Sequence, residues 1–196
     1  MKNPDRGASD VRAIIFDLDN TLYDRDANVR SWLESVFEDA AVVEEVMDFD
    51  NSGFVTRSAF YDFVMERVEW AEEPLEVKRR FQRGVLDSVT GDPQVASMIE
   101  RLAKRYHLGV LTNGETEYQL GKFRSLGLDA WFSAKDVIAT HSIGRDKPDP
   151  EAFEAILSAM DREAEETLFV GDNPVNDIAG AQAKGMMTCW IRLQDL

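Results

Sequence analysis

The chain contains a single cysteine, Cys189, among its 196 residues. No disulfide can close within it, and a reducing compartment suits it. Histidine is nearly as scarce: His107 and His141 are too few to build a histidine metal site, so any metal is expected to be a hard cation held by oxygen. No apolar run reaches membrane-spanning length. Met1–Asp10 is polar, without the apolar centre of a secretory signal. A cytoplasmic protein with no membrane partner is the expectation. Positive charge is also short, with 22 Lys and Arg against 37 Asp and Glu and a net charge of -15. That argues against nucleic-acid polymers, whose binding depends on basic side chains neutralising phosphates. It leaves room for a small anionic substrate, because local cations override the global field at a few ångströms. What remains is an ordinary globular composition, 44% hydrophobic and 30% charged. Its length suffices for one well-filled domain, or for a core with a smaller attached module.

The most informative stretch is Ile14-Ile15-Phe16-Asp17-Leu18-Asp19-Asn20-Thr21-Leu22. An apolar run that reads as a buried strand ends in two carboxylates two residues apart. Alternate side chains of an extended segment leave on the same side, so Asp17 and Asp19 share one space while Leu18 turns toward packing. Like charges so close are costly unless a cation or a proton is shared. The pair therefore points to a metal and to proton transfer.

The second half of the chain alternates strand and helix. Asp92-Pro93 reads as an N-cap with proline at the first helical position, followed by an apolar face of Val95, Ile99, Leu102 and Tyr106. Strands are expected at Leu108–Thr112, Asp136–Ala139, Thr167–Val170 and Met187–Ile191. Helices are expected from Glu115 to Leu126 with Gly127 as C-cap, from Asp149-Pro150 to Met160, and from Asn173-Pro174 to Gly185. Such alternation implies a parallel sheet covered on both faces, a doubly wound Rossmann-like α/β core. Residues 24–91 break the rhythm. Val29, Trp32, Leu33, Val36, Phe37 and Ala40 repeat at helical spacing, Phe60, Phe63, Val64 and Val68 do so again, and Leu75 to Leu86 gives a third helix. The division is thus a core of 1–23 and 92–196 with an all-helical insertion at 24–91.

Four segments fall just past the carboxyl ends of expected strands, where open parallel sheets bind ligands. The first holds Asp17 and Asp19. The second, Leu111-Thr112-Asn113-Gly114, sets a hydroxyl and an amide before a helix N-terminus, which suits a phosphate. The third is Gly144-Arg145-Asp146-Lys147-Pro148-Asp149-Pro150, in which Pro148 biases Lys147 away from the helix that follows. The fourth, Gly171-Asp172-Asn173-Pro174-Val175-Asn176-Asp177, brings two carboxylates to a helix start.

In these four motifs, in this order and spacing, the chain resembles the haloacid dehalogenase-like hydrolase superfamily, specifically its phosphatase branch. The resemblance implies that the helical insertion is a cap over the active site. It implies that Asp17 attacks phosphorus to give an aspartyl-phosphate, and that Asp19 protonates the leaving alkoxide and later deprotonates water. Thr112 and Asn113 would hold phosphoryl oxygens, with Lys147 offsetting their charge. Asp17, the backbone carbonyl of Asp19 and Asp172 would ligate Mg²⁺, with Asp177 a further ligand or an anchor for Lys147. Asp19 favours a phosphatase over a dehalogenase, since a halide leaves without a proton and an alkoxide does not. The expected activity is Mg²⁺-dependent hydrolysis of a small phosphorylated metabolite: a nucleotide, flavin nucleotide or sugar phosphate. The alternatives are a phosphomutase of the same superfamily and a non-catalytic phosphate-binding regulatory protein.

Several residues read as structural. Asp48-Phe49-Asp50-Asn51-Ser52-Gly53 looks like a calcium loop, but its twelfth position is Ala59 rather than a bidentate glutamate, so a helix–helix turn is expected. Cys189 is assigned to the core. Trp32, Phe37, Phe60, Phe63 and Trp70 are assigned to the interior of the helical insertion, and His107 and His141 to loops or packing. Relatives commonly continue past the last strand, so a shortened C-terminus at Leu196 is a further expectation.

Overall fold

The computed structural model describes residues 11–71 and 73–192. The polar stretch Met1–Asp10 and the terminus at Leu196, on which two of the expectations above fall, lie outside them. The chain divides into two compact units, one of residues Met1–Tyr23 with Gly91–Leu196, the other of Asp24–Thr90.

In chain order the elements are β1 (Ala13–Phe16), α1 (Arg25–Val36), α2 (Ala40–Asp50), α3 (Arg57–Met65), α4 (Pro74–Ser88), α5 (Pro93–Ala103) and β2 (His107–Thr112). They continue with α6 (Thr116–Ser125), β3 (Val137–Ala139), α7 (Pro150–Met160), β4 (Thr167–Gly171), α8 (Gly180–Lys184) and β5 (Met187–Trp190). The five strands form one parallel sheet in the order β3-β2-β1-β4-β5. The fold is therefore α/β and Rossmann-like. β1 sits at the centre, with Ile15 level with Gly109 on one side and Phe169 on the other. Being covered on both faces, it is apolar at every position rather than alternating. The chain builds outward from β1 to β3, then crosses to the other side of β1 for β4. The reversal of strand order between β1 and β4 opens a crevice at their carboxyl ends. On one face Phe153, Ile156 and Met160 of α7 pack with Ile15, Leu111 and Phe169. Gly109 makes this possible: a Cβ there would lie 2.5 Å from the Met160 sulfur.

Among the described residues the unit Asp24–Thr90 contains four α-helices where the periodicity suggests three. The apolar run beginning at Val29 does not continue unbroken to Ala40. It stops at Val36, and Asp39 opens α2 by accepting from the Ala41 N–H. Asp24 and Thr56 cap α1 and α3 in the same way. The core of this unit is Val29, Trp32, Leu33, Val46, Phe60, Val64, Phe81 and Val85. Trp32 meets Phe81 edge-on at 5.1 Å, and Gly84 leaves room for the indole. Phe60 and Trp32 are buried as expected, whereas Phe37, Phe63 and Trp70 are only half-buried. The stretch from Asp48 to Gly53 ends α2 in a turn with Asn51 and Ser52 in the left-handed region. Asp50 is fully buried there, bridged at both oxygens by Arg25 and joined by Arg57. The two guanidiniums hold its carboxyl below the ordinary value, against the opposing effect of burial.

Two expectations for the Rossmann-like unit need correction. Cys189 is exposed, not core. β5 is the outer strand of the sheet, so its last residues have a partner on one side only, and Trp190 is exposed with it. The helix after β4 is not regular either: Pro174–Ala179 is wound as a π-helix before α8 begins. No helix among the described residues is long and apolar enough to cross a membrane.

Candidate active site

β1 ends at Phe16, and the Asp17 N–H still bonds to the Val170 carbonyl of β4 at 2.8 Å, so Asp17 stands at the mouth of the crevice. Leu18 is buried, as the alternation requires, and its carbonyl accepts from the N–H groups of Thr21 and Leu22. Asn20 takes a left-handed conformation in this turn (φ 57), which asparagine tolerates better than most residues. The Thr21 hydroxyl is buried with no hydrogen-bond partner among the described residues.

β4 delivers the opposite wall. Asn173 caps the π-helical turn, its Oδ1 accepting from the N–H groups of Val175 and Asn176. Asp177 then folds back to accept from the Asn173 N–H at 3.0 Å. This return depends on Gly171, where a Cβ would sit 2.4 Å from Asp177 Oδ2. Lys147 enters between the walls, 3% exposed, with Nζ 2.6 Å from Asp17 Oδ1 and 2.7 Å from Asp177 Oδ1. Asn113 clamps the lysine's backbone: its Nδ2 donates to the Lys147 carbonyl at 2.9 Å, and its Oδ1 accepts from the Lys147 N–H at 2.8 Å. The structure thus turns the Asn113 side chain toward the Lys147 backbone. Thr112 is buried and accepts from Gln119 Nε2 at 2.9 Å. A hydroxyl that accepts one bond keeps its own O–H to donate.

Asp17, Asp172 and Asp177 each present a carboxylate oxygen within 4.8 Å of the others. One lysine faces these three acids, and the imbalance appears in their proton affinities. Burial pushes the Asp17 carboxyl up to about 8, with Asp177 and Asp19 adding to the rise and Lys147 opposing it. Asp172 is pushed up to about 7, again by burial first and the Asp177 charge second. Burial by itself would lower Lys147, but Asp17 and Asp177 outweigh it and the ammonium is held above its usual range. A cluster with surplus negative charge, built of hard oxygen donors, fits a divalent cation such as Mg²⁺. Within it Asp177 has both oxygens engaged by protein donors, which suits an anchor for Lys147.

Asp19 stands apart from that cluster. Its Oδ1 and Oδ2 lie 2.5 and 2.7 Å from Lys122 Nζ, Gln119 Nε2 donates to Oδ2 at 3.0 Å, and the Tyr23 hydroxyl donates to Oδ1. Each aspartate of the opening pair therefore has its own buried lysine, Lys147 for Asp17 and Lys122 for Asp19. Neither Lys122 nor Gln119 was picked out in the sequence. The available signal is in α6, where Gln119 and Lys122 share the buried face with Phe123 while Leu120 is only half-buried. Polar residues on the inward face of a sheet-covering helix ask for a partner inside.

Comparison with known proteins agrees with this geometry. The model of the haloacid dehalogenase-like hydrolases matches residues 14–191. Glyceraldehyde 3-phosphate phosphatase of Pyrococcus abyssi is 27% identical over 93% of this chain and 82% of that protein. The pyrimidine 5'-nucleotidase YjjG of Escherichia coli is 25% identical over 91% and 84%. The magnesium-bound crystal structure of YfnB from Bacillus subtilis superposes with a TM-score of 0.79 at 24% identity, over 92% of this chain and 88% of that one, a likeness of fold. With its sheet order, its four motifs in place and a match spanning nearly its whole length, the chain belongs to the haloacid dehalogenase-like hydrolase family and is a phosphoric monoester hydrolase.

Proposed function

We propose that the protein is a Mg²⁺-dependent phosphatase that hydrolyses a small phosphomonoester through a phospho-aspartate on Asp17. The observation that carries this reading is the separation of the two first-motif aspartates. Asp17 lies in the charge-deficient cluster with Lys147, Asp172 and Asp177, while Asp19 is held outside it. One carboxylate is thereby suited to nucleophilic attack and the other to carrying a proton.

In the first step an Asp17 oxygen forms a bond to phosphorus as the ester P–O bond breaks. The departing oxygen takes the proton from Asp19. In the second step water attacks phosphorus, Asp19 removes its proton, and the bond from Asp17 to phosphorus breaks to release inorganic phosphate. Dividing the hydrolysis in this way replaces one difficult displacement with two easier ones. The Lys147 ammonium would oppose the negative charge of the transferring group, and the Thr112 O–H, free to donate while its oxygen accepts from Gln119, would donate to one of its oxygens. Asp17 and Asp172, with the backbone carbonyl of Asp19 and with Asp177 as ligand or anchor, would hold Mg²⁺. The bound ion supplies positive charge to the phosphoryl oxygens.

The unit Asp24–Thr90 is read as the cap, where substrate is selected. The relatives' names span a triose phosphate and pyrimidine nucleotides. The substrate class is accordingly a small phosphorylated metabolite, a sugar phosphate or a nucleotide, including flavin nucleotides. The test is phosphate release from a panel of such esters by purified protein, with and without EDTA. Activity that is lost on chelation and restored by Mg²⁺ supports the reading; indifference to chelation removes the metal from it. Stoichiometric inorganic phosphate separates a phosphatase from a phosphomutase, which would return the group to a sugar, and catalytic turnover separates it from a phosphate-binding regulatory protein.

A further inference from the structure

The Asp19 carboxylate does not hang free at the end of its strand. Helix α6 sends two side chains to it from positions three apart, which a helix places on one face. Lys122, 3% exposed, reaches both oxygens, and Gln119 reaches Oδ2. The same Gln119 Nε2 also lies within hydrogen-bond distance of Thr112 Oγ1 and the Asn113 carbonyl oxygen, so its two hydrogens are shared among three acceptors and one amide ties the first motif to the second. Tyr23, four residues after Asp19, closes the third side through its hydroxyl. The Lys122 ammonium is flanked by aromatic rings, 4.7 Å from the centre of Tyr118 and 5.7 Å from that of Tyr23. This is a costly arrangement: a lysine loses its hydration and much rotamer freedom to be held under a helix. An ordinary surface pair needs no such enclosure.

We propose that Lys122, supported by Gln119, is a positioning residue that fixes the direction of the Asp19 carboxyl group, which enters the first step protonated and gives that proton to the leaving-group oxygen. The proposal rests on the phosphatase reading given above. With donors at both oxygens the carboxyl plane is set, and rotation about the Asp19 side chain is confined. Proton transfer needs heavy atoms within hydrogen-bond reach, so a carboxylate that wanders loses most of its effect. The proton itself moves only between Asp19 and the ester oxygen: one O–H bond breaks and another forms. Lys122 takes no part in that exchange.

The consequence is a dependence on the leaving group. An alkyl phosphate needs the proton to depart, whereas 4-nitrophenolate leaves readily without one. The measurement is kcat/KM, which reports steps through the first transfer to Asp17, on a simple alkyl phosphate and on 4-nitrophenyl phosphate. Lys122→Met is expected to lower the alkyl value by about 10²-fold, of the order of a general-acid contribution, and the 4-nitrophenyl value far less. Lys122→Arg, which keeps charge and donors, should recover part of the alkyl value. Asp19→Asn with Lys122→Met should be no slower than Asp19→Asn alone, because a positioning residue has nothing left to position. The double variant removes both charges together, so it remains informative even if Lys122→Met fails to fold. Equal losses on the two esters, or a further loss in the double variant, would overturn the proposal while leaving the phosphatase reading intact. A wild-type protein inert toward both esters would overturn that reading and this one with it.

Discussion

The two units each bury a cluster of charges, one of them balanced and the other not. In the helical unit two carboxylates, Asp50 and Asp26, meet two guanidiniums, Arg25 and Arg57. In the Rossmann-like unit three carboxylates, Asp17, Asp172 and Asp177, meet one ammonium, Lys147. Asp50 is held below its ordinary value, and Asp17 and Asp172 are raised to about 8 and about 7. The first cluster is complete and serves to fix a turn between helices. The second is short of positive charge, which a folded protein tolerates only where something else supplies it. Burial alone therefore does not mark a functional site. The sign of the remaining charge does.

The largest effect that separates the clusters is on turnover. Asp17→Asn should abolish phosphate release while the metal-free protein melts no lower than wild type at pH 8, because an amide relieves a crowded carboxylate and can still accept from Lys147. Retained phosphate release would defeat the nucleophile assignment, and a marked loss of melting temperature would defeat the claim of surplus charge.

Asp50→Asn should do the reverse to stability. Removing the carboxylate takes two bonds from the buried Arg25, which keeps its pairing with Asp26, and breaking a buried pair costs at most about 3–5 kcal/mol. Urea titration of the helical transition reads this directly, and a loss near zero would show that Asp50 is not the keystone of the turn.

The pH dependence of metal-free protein sharpens the contrast further. Raised groups bind protons in the folded state that the unfolded chain, with values near 3.8, has already released. Asp17 and Asp172 therefore make stability fall as pH rises from about 4 to about 8. Asp50 has a lowered value, so its contribution is present above 3.8 and disappears only on further acidification. Melting temperature against pH in EDTA should fall toward alkali in the first window and toward acid in the second. Mg²⁺ should flatten the first window alone, stabilising by about 2.7 kcal/mol at a hundred times its dissociation constant. A Mg²⁺ effect larger at pH 5 than at pH 8 would mean that these carboxylates are not where it binds.

Much of this was legible in the sequence for a physical reason. Asp17 and Asp172 follow strand runs, Lys147 stands before the Pro148-Asp149-Pro150 start of α7, and Asp177 lies in the turn that Asn173-Pro174 opens, so their placement at one sheet edge is local chemistry plus topology. Lys122 and Gln119 were not legible, because a lysine on a helix reads as surface until the partner beneath it is known. The pairing of the Asn113 amide with the backbone of Lys147 is not legible either, because tertiary packing makes it. Cys189 was placed in the core because an apolar strand looks the same whether its neighbour exists on one side or two. The pattern Val29 to Ala40 runs across the break at Asp39 without marking the start of α2 (Ala40–Asp50), because Val36, Phe37 and Ala40 keep the helical period.

That break supplies the smallest test. Helix α2 has an aspartate at each end, Asp39 exposed at its N-cap and Asp50 buried at its last turn. Asp39 accepts one backbone N–H, from Ala41 at 2.9 Å, in contact with water. Replacing such a cap by alanine costs typically about 1 kcal/mol, so Asp39→Ala should lower stability by a fraction of what Asp50→Asn does. Both changes remove a carboxylate from the same helix, and their difference isolates burial and pairing from the mere presence of the charge. If Asp39→Ala proved as damaging as Asp50→Asn, the cost would lie in the helix itself, and the balanced cluster at Asp50 would lose its claim to hold the turn.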